Sequence, residues 1–327
     1  MKKFLFSALL ALVTISATAQ KNSDANNNPG WLWEISGNGL KQKSYLFGTC
    51  HGEGHRFTKE EVFSFPSFKK AFDKTKMIFN ETDLGHTDTA AMNKFRKQIG
   101  EFCYNPGPEY MMPEGVDFRT LYDSIAHFKI VDKYLAIEMK DLEYWKKTPG
   151  YWFSRIDISQ FFETRKAKTM DVLLYEEAVN QGKETGGLEE LKDIDGNVIS
   201  MFTDMKGIDT LSMKEQADTL YRAIRDITNG TTSRKLQALY KAYISNDTCQ
   251  VAKHIAEYPE IYGGKNNSHD KEIFDDRNEA WIPVIKKNIP EKTCMIAVGC
   301  RHLMGPASLI AMLRREGYTV EPVTKKN

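Results

Sequence analysis

The chain has 327 residues, 41% hydrophobic and 11% aromatic, enough to bury a full core and too apolar for a disordered protein. Lysine and arginine number 45 against 44 aspartates and glutamates, so overall charge carries no footprint for nucleic acid or an anionic membrane surface. Beyond the N-terminus no stretch is long and apolar enough to span a bilayer.

In chain order, Lys2-Lys3, the apolar run Phe4 to Val13 and the small residues Ala17-Thr18-Ala19 read as a signal peptide cleaved after Ala19. That pattern predicts an exported protein, periplasmic or secreted. Residues 20–30 are a polar linker. Trp31 to Ile35, the turn Gly37-Asn38-Gly39 and Ser44 to Phe47 predict a β-hairpin. Its second arm runs into Gly48-Thr49-Cys50-His51, a strand tip that turns at glycine and presents an imidazole. A loop with Glu53 and His55 follows, then a short helix at Phe68 and Phe72. Met77-Ile78-Phe79 predicts a third strand, ending on Asn80-Glu81. A carboxylate at the carboxyl end of a strand stands where ligands bind in open α/β sheets.

From residue 87 to 266 the pattern is helical. Leu236, Leu239, Tyr240, Tyr243 and Ile244 fall at the spacing of one helix face. Tyr144-Trp145 and Tyr151-Trp152-Phe153 are read as packing aromatics rather than as a pocket lining. Trp281 and Ile285 predict a helix after Asp275-Asp276-Arg277-Asn278, despite Pro283. Thr293 to Val298 predicts a strand whose tip, Gly299-Cys300-Arg301-His302, repeats the Gly-x-x-His of the first. Gly305-Pro306 opens a helix with Leu309, Met312 and Leu313 on its buried side, Gly317 stops it, and Tyr318 to Val323 returns as a strand. The fold class expected is α/β, a sheet of two related halves (31–86 and 267–327) around a large central helical insertion (87–266). Together these form a single domain over 31–327.

Two strand tips of the same pattern imply one shared site. Imidazole is both the commonest metal ligand and a group that titrates near neutrality, so two histidines with a carboxylate suit metal binding or acid–base work. Two His and one Glu leave coordination positions open for water and substrate. Glycines 48 and 299, lacking Cβ, let the backbone turn tightly at the tips. Five cysteines (50, 103, 249, 294 and 300) leave one thiol over. Cys50 and Cys300 lie inside the two tips, with three uses open: a bridge, a place in a metal shell, or small buried apolar groups.

Taken together, Trp33-Glu34-Ile35, Tyr45 to His51, Glu81, Arg277-Asn278, Val298 to Leu303 and Gly317 to Val320 resemble the TraB/GumN family. Met170-Asp171, Gly182-Lys183 and Gly187-Leu188-Glu189 add a weaker central match. That family is related to the TIKI-type metalloproteases and, remotely, to erythromycin-esterase and ChaN-like proteins. The resemblance implies a metal-dependent, peptidase-like hydrolase acting on a peptide or small molecule. Its catalytic set would be His51, His302, Glu81 and Arg277. His51, His302 and Glu81 would hold a divalent ion, with manganese, cobalt and zinc all compatible. Glu189, His55, Asn278, Cys50 and Cys300 are accessory candidates. Two alternatives stand beside this reading: a non-catalytic exported protein that binds haem or metal, and a metal-independent esterase-like hydrolase.

Overall fold

The computed structural model describes residues 28–50, 57–85, 89–165, 168–189, 208–258 and 271–323. The expected signal peptide, His51, His55, the Glu53 loop, His86 and His269 lie outside the described residues. Six strands form one sheet in the order β4-β3-β5-β2-β1-β6. They are β1 (Leu32–Gly37), β2 (Ser44–Thr49), β3 (Met77–Thr82), β4 (Glu184–Glu189), β5 (Cys294–Gly299) and β6 (Tyr318–Pro322). β4, β3, β5 and β2 are mutually parallel, while β1 runs antiparallel to both β2 and β6.

The two central strands explain themselves. Every residue of β2 and of β5 is buried, and a parallel strand covered on both faces must read as an unbroken apolar run. Residues Tyr45, Phe47, Met295 and Ala297 face one layer, and Leu46, Cys294, Ile296 and Val298 face the other. The first layer is built from α1 (Lys59–Ser64), α2 (Phe68–Lys74), α6 (Met170–Asn180), α8 (Thr231–Ile244) and α9 (Thr248–Glu257). Val62, Phe68, Phe72, Met170, Leu174, Leu239, Tyr243 and Val251 supply its apolar contacts. The second layer is α10 (Asp276–Asn288) and α11 (Leu309–Arg315), through Trp281, Ile285, Leu309 and Leu313.

The central helical region contributes α3 (Thr89–Tyr104), α4 (Ile125–Lys133), α5 (Pro149–Arg165) and α7 (Met213–Thr228). It has its own apolar cluster, including Ile99, Phe102, Tyr122, Leu135, Trp152 and Leu220. Tyr144, Tyr151 and Trp152 are buried in that cluster, so packing is the use these aromatics serve, although Trp145 is half exposed. Among the described residues, no helix is long and apolar enough to cross a membrane.

The α/β class, the hairpin, the third strand and the helix carrying Arg277 stand as the sequence indicates. Three details differ. α11 begins at Leu309 rather than at Gly305-Pro306, because the Ser308 hydroxyl accepts the Ala311 N–H and fixes the cap there. The last strand ends at Pro322 rather than Val323, and it runs parallel to β5 with β2 and β1 between them. β4 is a strand that the residue pattern does not announce: Glu-Thr-Gly-Gly-Leu-Glu has one fully buried side chain, as an edge strand allows.

Candidate functional site

Three parallel strands end near one another, and Glu81 and Glu189 at the ends of two of them reach the second helical layer. β3 brings Glu81, β4 ends on Glu189, and β5 ends on Gly299 before a single 3-10 turn, Cys300–Leu303, that carries His302. Opposite them, α10 presents a stripe of Asn278, Trp281, Ile282 and Ile285, all buried. This i, i+3, i+4, i+7 spacing seats the helix on the sheet. Arg277 stands beside the stripe, one turn from Trp281, with its guanidinium 4.7 Å from that ring.

Arg277 joins the strand ends. Its Nη2 donates to Glu81 Oε2 at 2.7 Å and to Glu189 Oε1 at 2.6 Å, and its Nε donates to Glu189 Oε2 at 3.2 Å. Burial works against its charge, but the two carboxylates outweigh that and hold its pKa above the ordinary arginine value. Glu81 is gripped from a second side, where its Oε1 accepts the Gly299 N–H at 2.8 Å. Glu189 Oε2 also accepts the Trp281 indole N–H at 3.0 Å.

His302 is almost wholly buried, with Trp281 and Phe274 against its ring at 4.5 and 5.1 Å. Its tautomer follows from Asn278. The Asn278 amide nitrogen donates to the His302 and Ala307 carbonyls, which turns its Oδ1 toward the ring, 2.8 Å from Nδ1. Nδ1 therefore carries a proton and donates it, and Nε2 is the ring nitrogen turned toward Glu81 and Arg277. Nε2 lies 3.6 Å from Glu81 Oε1 and 3.5 Å from Arg277 Nη1.

Of the residues singled out in the sequence, the structure thus gathers His302, Glu81, Arg277, Glu189 and Asn278. His51 and His55 fall outside the described residues. Cys50 and Cys300 pack against the first helical layer, the opposite side of the sheet from this cluster. In the sequence Trp281 is legible only as a stripe residue, and Phe274 carries no signal of its own. Position 281, four after Arg277 on a predicted helix, was the signal for the first. A further polar pair lies at the β2 tip, where the Thr49 hydroxyl donates to the buried Asp171 carboxylate at 2.9 Å.

Among the described residues, no group of three or more His, Cys, Asp or Glu side chains is arranged to hold a metal ion. The chemistry of the donors present nonetheless fits a divalent cation as part of a larger set. An imidazole whose Nδ1–H is held by a hydrogen bond, with Nε2 turned toward a carboxylate, is the arrangement in which histidine serves as a ligand.

The sequence model of the TraB/PrgY/gumN family matches residues 31–322. The chain belongs to this family. Among curated proteins it is similar to the metalloproteases TIKI1 and TIKI2 of Danio rerio. TIKI1 is 22% identical over 357 aligned residues, covering 93% of this chain and 64% of the relative. TIKI2 is 22% identical over 333 aligned residues, covering 89% and 60%. The alignments thus take in less than two thirds of either relative's length. No solved structure matches. In this TraB/PrgY/gumN chain the family match takes in both Gly-x-x-His segments, Glu81, Glu189 and Arg277.

Proposed function

We propose that this chain is a metal-dependent hydrolase that cleaves peptide-like bonds. The reading is supported by the distant TIKI metalloproteases. The observation that carries it is the Arg277 bridge, which sets two carboxylates beside an imidazole of fixed tautomer at the carboxyl ends of parallel strands. His302 and, from the sequence, His51 would hold a divalent ion, with Glu81 beside it as the base. Such an ion polarises a carbonyl and brings the pKa of water from about 15.7 toward roughly 7.

This chain's own residues do the rest. Asn278 keeps the His302 proton on Nδ1. Arg277 and the Gly299 N–H hold Glu81 in a single orientation, with Oε1 on the side of His302. Glu81 Oε1 takes the proton of an attacking water as the water oxygen bonds to the substrate carbonyl carbon. It returns that proton to the amine as the carbon–nitrogen bond breaks. Arg277, anchored by Glu189, places fixed positive charge where the carbonyl oxygen becomes negative. The pattern over residues 1–19 supports export of the chain to a periplasm or beyond the cell, and a single domain over 31–327 accommodates both helical layers and the insertion.

The test is a peptide and ester library incubated with metal-stripped protein and with protein given manganese, cobalt or zinc, beside Glu81→Gln and His302→Ala. Cleavage of peptides that needs a metal and falls by about 100-fold or more in Glu81→Gln is expected. Metal uptake without turnover of any peptide would move the assignment to a binding protein. Ester cleavage indifferent to metal would move it to an esterase.

A further inference from the structure

Cys50 and Cys300 directly follow β2 and β5, and the ladder between those strands pairs Gly48 with Val298 and Thr49 with Gly299. Cys50 and Cys300 are the residues next after that last pair, Cys300 opening the 3-10 turn that follows β5. Neighbouring strands run about 4.7–4.9 Å apart, so the pair Thr49 and Gly299, each one residue before a cysteine, starts the two thiols from a separation inside the roughly 4.4–6.8 Å that a disulfide spans. Both side chains pack on the same layer, against the cluster that holds Tyr45, Phe47, Met295 and Ala297. Local contacts agree with this closeness. A methyl group on Gly48 would stand 3.1 Å from the Cys300 Cα and 3.2 Å from its Cβ. The buried Tyr243 phenol donates to the Gly48 carbonyl at 2.6 Å and lies within the field of both thiols. Neither cysteine is fully buried.

The remaining cysteines lie on other elements or at the other end of β5. Cys103 is in α3, Cys249 is exposed on α9, and Cys294 is buried at the far end of β5. At ~3.3 Å per residue that end is roughly 20 Å from Cys300.

We infer that Cys50 and Cys300 are a built redox pair, closing to an intramolecular disulfide that ties the tips of β2 and β5 when a disulfide oxidant is present. One thiol attacks a sulfur of the oxidant, breaking its S–S bond, and the first half of the oxidant leaves as a thiol. The second cysteine then attacks the first, the Cys50–Cys300 bond forms, and the other half leaves as a thiol. Two S–H hydrogens pass to the oxidant, which is reduced as the pair is oxidised. The bond lies between the segment that leads to His51 and Gly299, whose N–H holds Glu81. It would set how far the two tips can part. The inference rests on strand register and not on the hydrolase reading, so either can fail while the other stands.

The experiment uses the full chain, reduced, desalted and then incubated with oxidised glutathione, followed by digestion without reductant and mass spectrometry. One cross-linked peptide joining Cys50 to Cys300 is expected. Oxidised wild-type protein should melt roughly 5 °C or more above its own reduced form, because a tie across some 250 residues restricts the unfolded chain. Cys50→Ser should show neither the cross-link nor the shift, and the comparison of oxidised with reduced wild type stands if that variant does not fold. Glutathione left on Cys50 and Cys300 without a cross-link, or cross-links running through Cys103 or Cys249, would overturn the inference.

Discussion

Replacing Arg277 by methionine keeps the aliphatic stem against Trp281 and removes the charge that two carboxylates share. The three hydrogen bonds to Glu81 and Glu189 go, at 2.6, 2.7 and 3.2 Å, each worth about 1.5–3 kcal/mol when charge-assisted. Glu81 and Glu189 then face each other as like charges across the gap the guanidinium filled. Their side chains are only 17% and 31% exposed, so water screens them in part. Weighing the lost bonds against that screening gives a destabilisation of roughly 3–5 kcal/mol for Arg277→Met at neutral pH, the cost of breaking a partly buried ion pair. The same reasoning fixes a second variant. In Arg277→Met/Glu81→Gln/Glu189→Gln both uncompensated charges are gone, while the amide oxygens still accept from the Gly299 and Trp281 N–H groups. Most of the loss should return, leaving the triple variant within about 1–2 kcal/mol of wild type. Urea denaturation followed by tryptophan fluorescence measures both. A triple variant as unstable as Arg277→Met would refute the electrostatic account and place the effect in packing on Trp281.

Two further outcomes are expected. Asn278→Ala leaves the buried His302 Nδ1–H without its acceptor, which should cost about 1–3 kcal/mol and lower metal affinity or turnover by roughly 10–100-fold. Nitrogen NMR of the imidazole should show the tautomer no longer fixed, and an unchanged spectrum with unchanged turnover would remove Asn278 from the site. Burial pushes the Cys294 thiol up to about 12, so the folded chain keeps it protonated at pH values where the unfolded chain, near 8.5, ionises it. Stability from this group is therefore complete below about pH 8.5 and is lost as pH rises toward 12. Site-resolved alkylation at pH 8 should modify the exposed Cys249 first and Cys294 only on unfolding, and equal rates at the two would contradict that burial.

What the sequence made legible follows the physics of each element. β2 and β5 are covered on both faces, so burial forces apolar residues at every step and the strands announce themselves. β4 could not be read the same way. A Cβ on Gly187 would meet the backbone at Asp83 and Thr82 at 2.4 and 2.9 Å, so close approach of the chain, rather than apolar burial, selects the residue there. That hid the strand that delivers Glu189, whose pairing with Arg277 depends on β3 and β4 lying in register. Glu81 was legible from its place after an apolar run. Arg277 and Asn278 carried no pattern of their own and came only with the family resemblance. The role of Asn278 depends on two backbone carbonyls, those of His302 and Ala307, that turn its amide, and nothing in the residue types encodes that orientation.

The placement of β5 between β3 and β2 also bears on how the chain is made. β2 ends at Thr49 and its partner begins at Cys294, so about 245 residues must be synthesised before that edge is covered. At roughly 5–20 residues per second, the apolar edge of β2 waits about 12–50 s on the ribosome with its hydrogen-bonding groups open. Such an edge is a template for any other extended chain nearby. In a nascent polypeptide of this topology the sheet stays open along β2 until Cys294–Gly299 has been made.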